Sequence, residues 1–362
     1  MRRRGRRGTR RSKRSRAVIV MAGMLLLMLA VPAPAHAGSE AAGTTSAAFL
    51  SVGTGAGVLG RGGATLGLGG DLTIVPWNAA ALGWLDEMQI AIAHATLADQ
   101  TQQEWVAVGA RAGHSALRWS LDGLYQSEGS FEGRDAFNHP TSSFDVSSMA
   151  VALHLAHPLG RFATAGVGGR YVGEKLGSVS GTGYAMDAGL QLRAGILGAG
   201  VAVTNVGGGM SYGGTRYDLP MNLGLGAALD LPGTGLRFAL DANFPRAYYQ
   251  DVRAGAEWRW RDLVALRAGY RRELDAPAEL TESGPSFGLG AGAHGVWLDY
   301  GYLVPGAGAG QHRLTVTLRP GKFAWLSGDP FGQKDMPREF DEQRPAVPGT
   351  MPDPREAATQ TK

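Results

Sequence analysis

The sequence predicts an all-β protein, a transmembrane antiparallel β-barrel of about fourteen strands, and three observations carry that prediction. Between residues 87 and 319 short segments alternate apolar side chains with polar ones or glycine. A strand points successive side chains to opposite faces, so a period of two gives one oily face and one wet face. The connections between segments are long and short in turn, the pattern of a barrel with tight turns at one rim and loops at the other. Beyond the N-terminal region no apolar run reaches about eighteen residues, the length a helical span needs. An exported membrane protein without such a helix must close its backbone hydrogen bonds in a barrel.

The alternation is cleanest in four segments. Leu117, Trp119, Leu121 and Tyr125 alternate with Arg118, Ser120, Asp122 and Gln126, and Tyr184, Met186, Ala188, Leu190 and Leu192 with Asp187, Gln191 and Arg193. Met221, Leu223, Leu225, Ala227 and Leu229 face away from Asn222, Gly224, Gly226 and Asp230, and Val252, Ala254, Ala256, Trp258 and Trp260 away from Arg253, Glu257 and Arg259. Each pattern lasts about ten residues, enough at a tilt near 40° to cross roughly 25 Å of hydrocarbon. Small residues blur the pattern over 103 to 111 and 161 to 173. Tight links fall at His157 to Gly160, Ala194 to Gly195, Pro232 to Thr234, Asp262, and His294 to Gly295, and long ones over 127 to 144, 205 to 220, 273 to 284 and 304 to 310. Short turns of bacterial barrels face the periplasm, so both termini are expected there, in a bacterial outer membrane.

Residues 1–37 read as a secretory signal peptide. Ten Arg or Lys without an acid occupy 1 to 16, an apolar run follows from Ala17 to Val31, and Ala35-His36-Ala37 offers small residues for cleavage. Setting those ten aside leaves 25 basic residues of the original 35 against 31 acidic ones, so the mature chain is acidic by about six charges. The basic character of the whole chain therefore argues for no nucleic-acid partner. The chain has no cysteine, hence neither a disulfide framework nor a lipid-anchored cysteine. Residues 38–86 form a lead-in rich in Gly, Ala and Leu, 87–319 the strand array, and 320–362 a tail with recurrent Pro that lacks the apolar surface to repay ordering.

Motifs for covalent chemistry read better as structure. Gly55-x-Gly57-x-x-Gly60 matches a dinucleotide fingerprint but lacks a strand-helix-strand frame. Gly209-Met210-Ser211-Tyr212-Gly213 matches a nucleophile elbow but falls in a loop between strands. His154 and His157 point to opposite faces of a strand, near a short turn, and make a poor metal pair. No catalytic residue, cofactor or metal is assigned, and a Ser-His-acid hydrolase is the rival reading, to be judged by whether Ser211 or another Ser meets a His backed by an acid. Trp105, Trp119, Tyr125, Tyr184, Trp258, Trp260, Tyr270, Trp297, Tyr300 and Tyr302 fall near strand ends and suit two interfacial girdles. Arg118, Asp122, Asp187, Arg193, Arg237, Asp241, Arg253, Glu257, Arg259, Arg267 and Arg271 share the inward parity of their strands, as a hydrogen-bonded network bracing the interior or as a polar path.

The stretch from Ser46 through Gly55, Gly57, Gly60, Gly62 and Gly63 to Val75-Pro76-Trp77-Asn78-Ala79-Ala80-Ala81-Leu82 resembles the opening of the PorV/PorQ family of FadL-like barrels, with its glycine-rich run followed by a Trp-Asn motif. Leu298-Asp299-Tyr300-Gly301-Tyr302 and Gln311-His312-Arg313-Leu314-Thr315-Val316 are similar to that family's last hairpin. Ala79 and Ala81 stand where the family has Pro and Gly, Val58 where it has Arg, and Arg61 where Met is common. The resemblance implies a fourteen-stranded barrel with its N-terminal segment folded into the lumen as a plug, Gly60, Gly62, Gly63, Trp77 and Asn78 being the plug motif. It implies a role in transport of hydrophobic molecules or in docking cargo of a type IX secretion system. Implied partners are outer-membrane lipid, the barrel-assembly machinery, and secreted cargo proteins or hydrophobic small molecules; a structural barrel with a plugged lumen is the alternative.

Overall fold

The computed structural model describes residues 42–98, 101–279 and 281–323. Residues 1–37, expected to be a signal peptide, and nearly all of the 320–362 tail lie outside the described residues. One compact unit runs to Lys322, and of the second, from Phe323 on, only its first residue is described.

Among the described residues sixteen strands follow four short helical turns: β1 (Gln89–Thr96), β2 (Gln102–Arg111), β3 (Arg118–Phe131), β4 (Phe144–Pro158), β5 (Ala163–Leu176), β6 (Val179–Ala194), β7 (Leu197–Gly207), β8 (Met210–Tyr212), β9 (Thr215–Tyr217), β10 (Asn222–Leu231), β11 (Leu236–Pro245), β12 (Asp251–Trp260), β13 (Val264–Glu273), β14 (Gly284–Ala293), β15 (Val296–Leu303) and β16 (Gln311–Leu318). All but β8 and β9 form one closed antiparallel barrel, fourteen strands in chain order, with β1 paired to β16. The array therefore begins at Gln89 and ends at Leu318, slightly inside the 87–319 read from the sequence.

Parity decides the two faces. Along β4, Ser148, Ala150, Ala152, His154 and Ala156 are buried, while Met149, Val151, Leu153 and Leu155 are exposed. The same reversal of a soluble protein runs round the wall through Ile92, Val106, Leu121, Val167, Met186, Leu240, Leu266, Phe287 and Leu289, all exposed large hydrophobics. Such a continuous apolar exterior is stable against lipid rather than water. Among the described residues no helix is long and apolar enough to cross a membrane.

The connection lengths correct the sequence reading. β5 and β6 meet in a tight turn at Gly177, on the rim where long loops were expected. The chain gains height there as a long hairpin of 14 and 16 residues instead of as a loop. Likewise β3 and β4 stay paired out to Phe131 and Phe144, so much of the 127–144 link is strand, and the 205–220 link contains the β8–β9 hairpin. One side of the barrel, β3 to β6, thus stands taller than the rest, whose strands have 8 to 11 residues.

Residues 46–85 fold inside this wall. A 3-10 turn at Ala48–Ser51, a short helix at Ala56–Gly60 and two further 3-10 turns at Leu72–Ile74 and Ala79–Trp84 are joined by glycine-rich bends. Ala56, Ala64, Leu72, Ala80 and Leu82 are almost wholly buried, which makes this plug the core of the molecule.

Candidate lumenal binding site

The plug has little regular structure of its own, so most of its backbone groups need partners from the wall. Wall side chains supply them. Asp241 accepts from the N–H of Thr65 and of Leu66 at 2.6 and 2.9 Å, Thr315 accepts from Ala56 N–H at 2.8 Å, and Gln89 accepts from Leu72 N–H at 3.1 Å. Gln191 donates to the carbonyls of Leu66 and Leu68, Thr164 to that of Ala80, Arg193 to that of Gly69 and Arg118 to that of Leu85. Asn78 caps its own turn by accepting from Ala80 N–H and donates to the carbonyl of Leu66. Its neighbour Trp77 lies under the Arg253 guanidinium, 5.0 Å from ring centre to Cζ.

The plug glycines are contact points. A side chain on Gly60 would meet the Gly288 backbone at 2.8 Å and one on Gly62 the Tyr270 backbone at 2.7 Å, while Gly63, beside Arg253, takes a positive φ of 81°. Plug and wall backbones approach so closely because the plug side lacks a Cβ and the wall residue is a glycine, as at Gly288, or turns its side chain to the outer face, as Tyr270 does.

A buried ionic chain ties the end of the plug helix to the wall it packs against. Arg61 bonds Glu257 at 3.0 Å, Glu257 also receives Arg267 at 2.5 Å, and Arg267 reaches Asp299 at 2.6 Å. Arg259 and Arg237 approach the other oxygen of Glu257 at 3.4 and 3.7 Å. Higher up, Asp251 takes Arg253 at 2.7 Å and Arg271 at 3.3 Å. A third cluster strings Asp122, His154, Asp187 and Arg170 across β3 to β6, and Asp187 also accepts from Asn205 N–H at a bulge in β7. The eleven charges read as inward from the sequence share the parity of the lumenal positions, six of them buried and five (Arg118, Arg193, Arg237, Arg259 and Arg271) partly exposed.

Two groups of residues do not sit where the sequence placed them. Trp105 and Trp297 are buried inside the lumen and not in an interfacial girdle, because they share parity with inward positions and donate their Nε1–H to Asp122 and Asp299. Tyr125, Tyr184, Trp258, Trp260, Tyr270 and Tyr300 do face outward. His154 is fully buried in mid-wall over Gly168, away from the short turn, with its two nitrogens 3.2 and 3.5 Å from Asp122 and Asp187. Ser120 lies across the ladder from His154, yet its Oγ has no hydrogen-bond partner among the described residues and carboxylates flank both imidazole nitrogens. Ser211 sits in the β8–β9 hairpin.

Between the plug and the loop rim lies a cavity of about 370 Å³. Phe49, Leu50, Val52, Pro76 and Trp77 of the plug, with Trp105 and Leu124 of the wall, give it an apolar side. Thr204, Asn205, Asn222 and Asn243 give it a neutral polar side, with Arg170, Arg253 and Arg271 behind. Burial beside Glu273 and Glu282 pushes the Tyr248 phenol at its rim up to about 12. The β8–β9 hairpin closes the neighbouring part of the lumen: Met210 packs over Gly183, and the Tyr212 hydroxyl donates to Glu174, which also accepts from Ala47 N–H at 3.0 Å. Nothing in local sequence pattern marks this cavity, since its walls come from segments far apart in the chain.

No protein-family description matches the chain, and no curated protein does. Solved structures do. The toluene transporter TbuX of Ralstonia pickettii superposes with a TM-score of 0.54 at 12% identity, over 74% of this chain and 98% of TbuX. The toluene transporter TodX of Pseudomonas putida gives 0.53 at 13%, over 73% of this chain and 96% of TodX. The monoaromatic hydrocarbon channel CymD gives 0.50 at 12%, over 74% and 96%. At these identities the likeness is one of fold: the chain forms a closed fourteen-stranded barrel whose fold is similar to that of these three proteins.

Proposed function

We propose that this protein is a non-enzymatic barrel of the bacterial outer membrane, with both ends of its strand array facing the periplasm, and that it takes small hydrophobic molecules into its lumen for transport. The observation that carries this reading is the cavity with one apolar side, set between the plug and the loop rim. An inert structural barrel has no need of such a chamber, whose apolar lining is costly to keep wet. The fold shared with two toluene transporters and a monoaromatic hydrocarbon channel supports the same reading.

The test is uptake of a labelled hydrocarbon by intact bacteria that produce the barrel, compared with a variant in which Ala150→Phe fills the chamber. Production of the barrel is expected to raise the uptake rate and the filled variant to return it to background. Equal uptake by all three strains would remove the transport reading.

A second reading, docking of exported cargo in the manner of the PorV/PorQ family, draws on the tall side of the barrel. There Phe131 stacks on Phe144 at 5.7 Å, and Phe137 on the adjoining loop is 81% exposed. Loss of cargo display on Phe137→Ser and Phe144→Ser, with uptake unchanged, would favour docking over transport.

A further inference from the structure

The hydrogen-bond chain along the polar side of the cavity fixes what the cavity can recognise. Asp251, held by Arg253 and Arg271, can only accept. Asn243 therefore turns its Nδ2 toward Asp251 at 2.9 Å, which leaves its Oδ1 to accept. Asn222 must then donate Nδ2 to Asn243, at 3.0 Å. The orientation of both amides follows from the carboxylate at the end of the chain, and the Asn222 Oδ1 is left as a buried acceptor with no partner among the described residues. On the plug, Trp77 Nε1–H is a buried donor with no partner among them. Both residues line the same cavity. Buried polar groups in folded proteins are nearly always paired, and an orphan acceptor and an orphan donor on one chamber call for a partner.

The charges there disfavour an ionic partner. Each guanidinium lining the cavity is already engaged: Arg170 with Asp187 at 3.1 Å, Arg253 with Asp251 at 2.7 Å, and Arg271 with Glu282 at 2.8 Å and Glu273 at 3.0 Å. Asp122, Glu128, Glu174, Asp251 and Glu282 give five lining carboxylates against those three cations, so an anion meets net repulsion, although the Arg271 Nε–H has no partner among the described residues. Asp251 and Glu174 have their oxygens occupied by protein donors, Asp122 holds Trp105 and His154, and Glu282 holds Arg271, which leaves the exposed Glu128, itself accepting from Gln126, as the most available carboxylate for an ammonium group.

We infer that the ligand of this cavity is an uncharged amphipath, its apolar body against Phe49, Leu50, Trp77, Trp105 and Leu124 and a hydroxyl at the Asn222 end. A hydroxyl both donates and accepts, a carboxylate only accepts, an ammonium only donates, and a hydrocarbon does neither. This inference rests on the transport reading and narrows it from hydrophobic molecules in general to neutral ones with a hydrogen-bonding head.

The test measures binding of phenylbutanol, butylbenzene, phenylbutyrate and phenylbutylammonium to the purified full barrel in amphipol, for the wild type and for Asn222→Leu, with Trp77→Phe in the same comparison should the first variant not fold. The wild type is expected to bind phenylbutanol at least about tenfold more tightly than either ion, and the variant to lose about tenfold toward phenylbutanol while keeping butylbenzene binding. Tighter binding of either ion, or a variant that changes both neutral compounds equally or neither, overturns the inference and leaves the transport reading standing. No binding of any compound to the wild type overturns both.

Discussion

The Asp241 carboxylate of the barrel wall accepts the backbone N–H of Thr65 in the plug at 2.6 Å, across 176 residues of sequence. The same oxygen takes the next N–H, from Leu66. A carboxylate wholly enclosed between wall and plug thus acts as the missing strand partner for a segment with no ladder of its own. Asp241→Ala strands two buried donors, each costing about 1–3 kcal/mol. The expected outcome is a barrel that still resists denaturation as a cylinder but admits protease to the plug and passes small polar solutes. Conductance recordings and limited proteolysis check it.

Close backbone approach makes a sharper prediction. A Cβ on Gly200 would stand 1.9 Å from the Leu66 carbonyl oxygen, whereas Gly169 has nothing within 4 Å. Gly200→Ala is expected to displace the plug or destabilise the fold by about 1–3 kcal/mol, as overpacking does. Gly169→Ala is expected to be neutral or to stabilise by about 0.5–1 kcal/mol, since it removes backbone freedom from a strand. Thermal unfolding in detergent distinguishes the pair.

Glu257 joins Arg61 of the plug to Arg267 of the wall. Among the described residues Arg61 makes no other ion pair, so Glu257→Leu leaves a buried cation uncompensated. A loss of about 3–5 kcal/mol is expected, and Arg61→Leu in the same molecule is expected to restore part of it, because removing both partners is less costly than removing one. A double-mutant cycle reads the coupling.

Tyr248, in the link between β11 and β12, has its phenol raised to about 12 by burial and by Glu273 and Glu282. The folded state holds this proton more firmly than the unfolded chain, whose phenols titrate near 10. Its contribution to stability is therefore complete below about pH 10 and lost as pH rises toward 12. Phenolate absorbance is expected to show a late step near pH 12 that disappears in Tyr248→Phe.

The outer wall was the most legible part of the fold, because a strand writes its two faces with a period of two and Leu289 beside Gly288 reads the same in sequence as in the barrel. The side chains that bind the plug were legible only as parity. Glu257 could be assigned to the inside, but its partner Arg61 lies 196 residues away and no local pattern joins them. Trp105 and Trp297 were misread because a tryptophan near a strand end looks alike in a girdle and in a lumen, and only the carboxylate waiting at its Nε1 tells them apart. The tight β5–β6 turn was missed because nothing in residues 161 to 193 shows how far a hairpin rises past the membrane. The cavity was invisible for the same reason as the ion pairs: plug and wall make it together.

All of these expectations depend on the exterior meeting lipid and the interior not. Single-tryptophan versions of the barrel in bilayers with brominated acyl chains measure that directly. Fluorescence of Trp258, on the outer face, is expected to be strongly quenched, and that of Trp105, 3% exposed inside the lumen, to be unaffected. Equal quenching of the two, or none of Trp258, would contradict a lipid-embedded barrel with a protected chamber.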